Sequence, residues 1–522
     1  MSYIFILFLC FLVLELYEKR KSVMNKINYK LQKNIGDNVK SDALVLGLFK
    51  DNKFDFSEVD SITNSIISEM ISSKDLSSEN GKIEIIHTPK KIFKSSNFSK
   101  IFIVGLGNPE SADNNSVRSA FANLGRLTIS NKINNISFLS DSVINYDANF
   151  HNFTLSAFEG FFLGRYKFEK YKSNIEEEKE DTNIFIISSK NEGKIKSVVE
   201  KSIITATAEM KAKSLVNEPA NTLSPTELSN YSKKLANSKI HCKILEEDEC
   251  KKLGMNAFLG VGQGSVEPSK LIHLSYKPKK NEDSVWFIGK AIMFDSGGLS
   301  LKPSGSMLSM KGDMGGSASV ISAIEAIANL NLDINIEALC LATENMPSGS
   351  AQRPSDVVKA MDGTYIEIEN TDAEGRLTLA DAVTYAKKMN AKAIIDVATL
   401  TGAAAIGLGR GNISGFSNDE KLMKSVIDAG LETGDSVWEL PLDSISKKQN
   451  NSLIADIKNT GGRNAGTITA AHFIHHFVKD TPWVHLDIAA NMMTLSDDRW
   501  HNKGATGIPT RLLIELANKL QK

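Results

Sequence analysis

The chain has 522 residues, 42% hydrophobic and 24% charged, the composition of a soluble globular protein long enough for more than one domain. Its 61 basic and 62 acidic side chains leave a net charge of −1, so it presents no electrostatic footprint for nucleic acid or for an anionic membrane surface. The four cysteines, Cys10, Cys242, Cys250 and Cys340, form no Cys-x-x-Cys pair, which argues against a disulfide framework and a thiolate zinc site and fits a reducing compartment.

Residues 3–14 form an apolar run of 12, short for a membrane span. No positive charge precedes the run and no small-residue cleavage site follows it. It reads as an unusual targeting signal, an anchor, or an upstream extension with translation starting at Met24; the last is preferred, and residues 1–23 are set apart as an extension.

From about residue 40, short apolar runs rich in β-branched and aromatic residues (43–49, 101–104, 184–187) alternate with helix-like stretches (116–129, 158–172), which predicts an N-terminal α/β domain over 24–190. The charged segment 176–181 reads as a solvated loop. Residues 191–215 read as one linker helix, stopped by Pro219 and by Ser224-Pro225. The remainder, 216–522, alternates strand and helix again, is richer in glycine, and is expected to be a larger α/β domain.

The chemistry collects in this second half. Residues 285–288 read as a buried strand running into Lys290, Asp295, a Gly-Gly turn and Lys302, and ligand sites in open α/β sheets lie at such strand ends. Asp313 stands beside glycines ahead of a helix-like stretch, 317–330. In Asn370-Thr371-Asp372-Ala373-Glu374-Gly375-Arg376-Leu377, period-2 spacing in an extended or looping backbone lets Asp372, Glu374 and Arg376 converge. Two carboxylates forced together need a proton or a cation between them, and an Arg beside them can hold an anion. Residues 377–386 behind the motif read as an amphipathic helix. Taken singly, each piece has a plainer structural explanation: turn glycines, an N-cap Asp, acidic residues complementing a helix dipole. Together, Asp295, Asp313, Asp372 and Glu374 form a four-carboxylate set with no Cys or His among them, which suits Mg, Mn or Zn. His475-His476 reads as a helix face.

These blocks resemble the signature of the cytosolic leucyl aminopeptidase family, two-metal exopeptidases. Val216-Asn217-Glu218-Pro219-Ala220-Asn221, Glu344-Asn345-Met346-Pro347, the stretch 461–467 and Trp483-Val484-His485-Leu486-Asp487-Ile488 resemble family segments in order and spacing. Glu159-Gly160 with 166–172 resembles the N-terminal domain. The resemblance implies a small N-terminal α/β (macro-like) domain and a larger C-terminal α/β catalytic domain with a mixed central sheet. It implies that Lys290, Asp295, Asp313 and Glu374 hold one divalent ion and Asp295, Asp372 and Glu374 the other, Zn or, at the more exchangeable position, Mn, Mg or Co. Lys290 would then have to lose its proton. A metal-bridging hydroxide would attack the first peptide carbonyl, with Lys302 facing the developing oxyanion and Arg376 holding a bicarbonate that relays protons. Lys302, Met310, Asp313, Thr399, Gly402, Ala489 and Met492 would contact substrate, the Met-lined walls suiting Leu and other apolar first residues. Two positions depart from the family: Ala490 stands where Gly is usual, and Asn464 where Asp is common. The resemblance further implies a cytoplasmic homohexamer acting on peptides with a free N-terminus in peptide turnover. Two other classes compete. A nucleotide- or nucleic-acid-binding N-terminal domain is opposed by the missing phosphate loop and the balanced charge. Of other two-metal hydrolases, a dipeptidase for substrates such as Cys-Gly is compatible with the same residues, whereas a phosphoesterase calls for more basic groups.

Overall fold

The computed structural model describes residues 26–35, 41–51, 54–88, 98–143, 150–173, 181–189, 192–280 and 282–521. The apolar run 3–14, the start at Met24 and all of 176–181 except Asp181 lie outside them. The chain forms two compact units, Met1–Ala206 with Asp497–Asn502, and Thr207–Ser496 with Lys503–Lys522.

In the first unit, β1 (Ile27–Gln32), β2 (Ala43–Phe49), β3 (Ile83–His87), β4 (Lys100–Gly107), β5 (Asn135–Leu139) and β6 (Thr182–Ile187) form one sheet in the order β1-β6-β5-β2-β4-β3. All pairs are parallel except β3 on β4. β2 is buried at every residue, which explains why it reads as an unbroken apolar run. Helix α1 (Asn114–Ser130) begins with a capping box in which Asp113 and Ser116 satisfy each other's backbone N–H groups. Helix α2 is Phe150–Gly164, eight residues earlier than the stretch 158–172 that the pattern predicts. Its position is set by glycine contacts with α1. A Cβ on Gly160 would stand 2.0 Å from the Arg118 carbonyl oxygen, and one on Gly164 would stand 2.1 Å from that of Ala122. Just past Gly164, the Arg165 guanidinium bonds Thr128 and Asn134 (both 2.7 Å) and the carbonyl of Ile133 (2.9 Å), and the chain leaves the helix.

Helix α3 (Glu192–Asn217) contains the division between the units, which falls after Ala206. In the second unit, β7 (Ile240–Leu245), β8 (Lys270–Tyr276), β9 (Val285–Asp295), β10 (Ile336–Asn345), a small sheet of β11 (Val357–Lys359), β12 (Tyr365–Glu367) and β16 (Ile457–Lys458), and β13 (Ala393–Ala398), β14 (Ile413–Ser417), β15 (Val437–Glu439) and β17 (Trp483–Asp487) follow. The main sheet runs β15-β14-β17-β13-β9-β10-β8-β7. It is mixed: the central strands β17, β13, β9 and β10 are mutually parallel, flanked by antiparallel pairs on both sides. The carboxyl ends of these four strands therefore lie on one edge. Helices α4 (Gly315–Asn329) and α5 (Gly375–Lys388) pack on the sheet. The sequence pattern predicts α5 as amphipathic; the structure instead buries it on every face from Gly375 to Ala386. Leu377, Leu379, Ala380 and Val383 share a core with Ile288 and Ile292 of β9 and with Phe473 and Phe477 of α6 (Gly466–Val478). Its polar positions, including Asp381, are enclosed as well, and Asp381 is used to accept the backbone N–H groups of Phe258 (2.9 Å) and Met361 (2.8 Å).

Candidate active site

Four parallel strand ends supply the site. Asp295 closes β9, Asn345 closes β10, Thr399 follows β13, and Asp487 closes β17. From within β9, the buried Lys290 ammonium pairs with Asp313 Oδ2 (2.9 Å) and Glu374 Oε1 (2.8 Å) and donates to the Thr399 carbonyl (2.9 Å). Room for this lysine depends on the residue after Glu374: a Cβ on Gly375 would stand 2.5 Å from Lys290 Cε. Lys302 bridges a second pair, Asp295 Oδ2 at 2.9 Å and Asp372 Oδ1 at 2.5 Å.

The residues 370–377 are not extended. Thr371 and Asp372 form a turn, and Glu374, with φ −79° and ψ −37°, stands just before the first turn of α5 without capping it through its side chain. Convergence of Asp372 and Glu374 comes from this turn-then-helix path and not from strand alternation. Asp295, Asp372 and Glu374 each offer a carboxylate oxygen within 4.8 Å of the others, while Asp313 joins the group through Lys290. Glu374 Oε2 is buried without a hydrogen-bond partner.

The electrostatics show a site in want of positive charge. Burial, with Asp295 close by, pushes Glu374 above its usual range, and burial raises Asp313 and Asp372 too. Burial works against the charge on both lysines, but the surrounding carboxylates prevail and raise Lys290 and Lys302 above the ordinary lysine value. The cluster holds four carboxylates against two ammonium groups, so full ionization of the carboxylates calls for further positive charge. A buried acceptor without a partner, beside two further carboxylates within ligand reach, fits a divalent cation. Arg376, enclosed in the first turn of α5, is pushed down to about 10 by burial and remains a cation at neutral pH. Its Nε and Nη1 are buried without acceptors, so it has donors to give to an anion.

The remaining expected residues are spread around this center. Thr399 turns its hydroxyl to Asp313 Oδ1 (2.7 Å), while its methyl lies 3.5 Å from where a Cβ on Gly315 would stand. Met492 lies over the same floor, with Sδ 3.3 Å from a Cβ placed on Gly312. Met310 and Ala489 are half-buried, and Gly402 is exposed at the start of a short helix. Two residues without a sequence-level role stand out. Asn345 bonds Asp295 and the Thr371 carbonyl. Asp487, fully buried, accepts from the N–H groups of Leu400 (3.1 Å) and Ala489 (3.1 Å) and from the hydroxyls of Thr401 (2.7 Å) and Thr467 (3.1 Å). It thereby anchors the turn that carries Thr399. Each looks like a turn or cap residue in sequence; the available signals are that each lies in a family-like segment and at the end of an apolar run, where sheet sites collect.

Residues 210–514 match the catalytic domain of the cytosol aminopeptidase family, and 45–174 match that family's N-terminal domain. The chain belongs to the cytosol aminopeptidase family. It is a metalloaminopeptidase, a hydrolase of peptide bonds. A relative from Sulfurihydrogenibium sp. (strain YO3AOP1), named "Probable cytosol aminopeptidase", is 38% identical over 484 residues, covering 91% of this chain and 95% of its own. Among solved structures, the bottromycin maturation enzyme BotP in complex with Mn aligns with a TM-score of 0.82 at 30% identity, over 92% of this chain and 100% of that one. A mutant of tomato leucine aminopeptidase aligns with a TM-score of 0.82 at 30% identity, over 95% and 97%. The two-domain α/β architecture with a mixed catalytic sheet is the one these aminopeptidases share. Among the described residues no helix is long and apolar enough to cross a membrane.

Proposed function

We propose that this aminopeptidase removes Leu and other apolar residues from the free N-terminus of peptides, at a site holding two divalent ions, as part of cytoplasmic peptide turnover. The observation that carries the reading is the trio Asp295, Asp372 and Glu374 within 4.8 Å, joined through Lys290 to Asp313. Lys290, Asp295, Asp313 and Glu374 hold one ion; Asp295, Asp372 and Glu374 hold the other. Zn fits this donor set, as does Mn, the ion with which the related BotP was solved. Such a pair supplies a Lewis acid for the scissile carbonyl and water activated at neutral pH.

The chain's own groups do the rest. Lys290 gives up its proton to serve as a ligand, since an ammonium has no lone pair to donate. Lys302 remains charged, and its ammonium, at the rim of the carboxylate trio, stabilizes the oxyanion as the carbonyl is attacked. Arg376 binds bicarbonate through its two unspent donors and so keeps a proton acceptor beside the reacting center. Asp313 and Lys302 orient the substrate backbone. Met310, Thr399, Gly402, Ala489 and Met492 bound the pocket for the first side chain, and the apolar wall over Gly312 and Gly315 favors Leu or Met over charged residues.

The test is hydrolysis of leucine amide, Cys-Gly and a phosphodiester by the full chain, before and after exhaustive chelation and with Mn or Zn restored. Leucine amide should be cleaved fastest, chelation should abolish turnover, and metal should restore it. Preference for Cys-Gly would reassign the chain as a dipeptidase.

A further inference from the structure

We infer that Asn345 is a positioning residue for Asp295, the carboxylate shared by both ions in the two-metal reading above, and that through Asp295 it sets the affinity of both metal positions. β9 and β10 pair in step from Val285 to Ile292, then the register shifts, so that Asn345 comes to lie opposite Asp295. A bulge of this kind re-aims the side chains beside it. The amide nitrogen of Asn345, a residue 4% exposed, then donates to Asp295 Oδ1 (2.8 Å) and to the Thr371 carbonyl (3.0 Å). Both neighbors are acceptors, so the amide nitrogen must face them. The Asn345 backbone carbonyl accepts from Ser296 N (3.0 Å) and Ser296 Oγ (2.7 Å).

One residue thus ties together the end of β9, which carries Asp295, and the turn that carries Asp372. It also decides which oxygen Asp295 presents. Oδ1 is taken by Asn345 and by the Gly297 N–H (2.9 Å), and Oδ2 is the one that faces Lys302 across 2.9 Å. Without the Asn345 amide, Asp295 Oδ1 keeps only the Gly297 N–H of its two donors, so the carboxylate is less firmly oriented, and the Asp372 turn loses this tie to β9. The Thr399 hydroxyl offers a contrast: it supports only Asp313, which serves a single ion. Removing the partner of a shared ligand should weaken both positions; removing the partner of an unshared one should weaken only one.

The experiment is a calorimetric Mn titration of the chelator-stripped full chain, comparing wild type with Asn345→Ala, Asn345→Ser and Thr399→Val, with a metal-free thermal melt of each. Asn345→Ala should weaken both Mn-binding steps by about 10–100-fold. Asn345→Ser, whose shorter hydroxyl can serve only one of the two acceptors, should weaken both by less, and Thr399→Val should weaken one step alone. A variant that merely loosens the fold would lower the metal-free melting temperature and leave Mn affinities of the folded protein unchanged. Should the alanine variant fail to fold, the serine variant carries the same test. Wild-type affinity at both steps in the folded Asn345 variants, or weakening of one step only, overturns the inference. Fewer than two Mn bound by wild type would overturn the two-metal reading, and this inference with it.

Discussion

Lys302 and Glu374 are close in the cluster and carry opposite charges, and they should fail in different ways. Glu374 has one oxygen on Lys290 and the other buried without a partner, so Glu374→Ala should lose bound metal together with activity. Lys302→Ala should keep its metal, because an ammonium at the oxyanion acts in the transition state. Its kcat and kcat/KM should fall together, by about 10²–10³, equivalent to about 3–4 kcal/mol. Elemental analysis beside steady-state kinetics checks both; loss of metal by Lys302→Ala with retention by Glu374→Ala would reverse the assignment. Arg376→Ala should lose less rate, since water partly replaces the anion. Added bicarbonate should stimulate wild type and leave this variant unaffected.

Among the elements, the α1–α2 pair shows how little slack close packing allows. Two glycines admit carbonyl oxygens at distances no Cβ tolerates, so Gly160→Val must push the helices apart. Overpacking typically costs about 1–3 kcal/mol; the expected outcome is a clear drop in the first unit's melting temperature with Mn affinity of the second unit retained. In the main sheet, β13 and β17 are joined side chain to side chain by Asp396, which accepts from Trp483 Nε1 (2.6 Å) and lies 2.5 Å from His485 Nδ1. Burial opposes charge on His485, but Asp396 outweighs it and raises the imidazole above its ordinary value. A group whose folded value is raised contributes stability that is complete below its unfolded value, about 6.5, and lost as pH rises through the folded value. Thermal melts should therefore show wild-type stability declining as pH rises above about 6.5, and Asp396→Asn should show a smaller decline. Equal slopes would mean the pair stays in one protonation state throughout.

For the whole molecule, the proposal is a homohexamer. Sedimentation should give six copies per particle, and a stable, active monomer would refute it. Exposed apolar side chains near the catalytic segments, including Leu299, Leu301 and Leu308, are the kind of surface such assembly covers.

Sequence pattern suffices where the cause is local. β2 reads correctly because a strand buried on both faces must be apolar throughout. The candidate carboxylates are visible because each stands beside the glycines of a strand or helix end, and their order along the chain carries the family resemblance. Periodicity says nothing about what surrounds an element, so it presents α5 as half-exposed when the sheet and α6 enclose it. It also misplaces α2, whose ends follow from backbone contact with a helix about forty residues away. Asn345 and Asp487 stay silent for the same reason. An Asn or Asp at the end of an apolar run has the same local signature whether it turns the chain or holds a ligand. Only the parallel order β17-β13-β9-β10, which brings strand ends far apart in sequence to one edge, determines that Asn345 meets Asp295 and that Asp487 meets the turn after β13. Residue type and local spacing thus determined which groups could do the chemistry; sheet order and packing decided which of them meet.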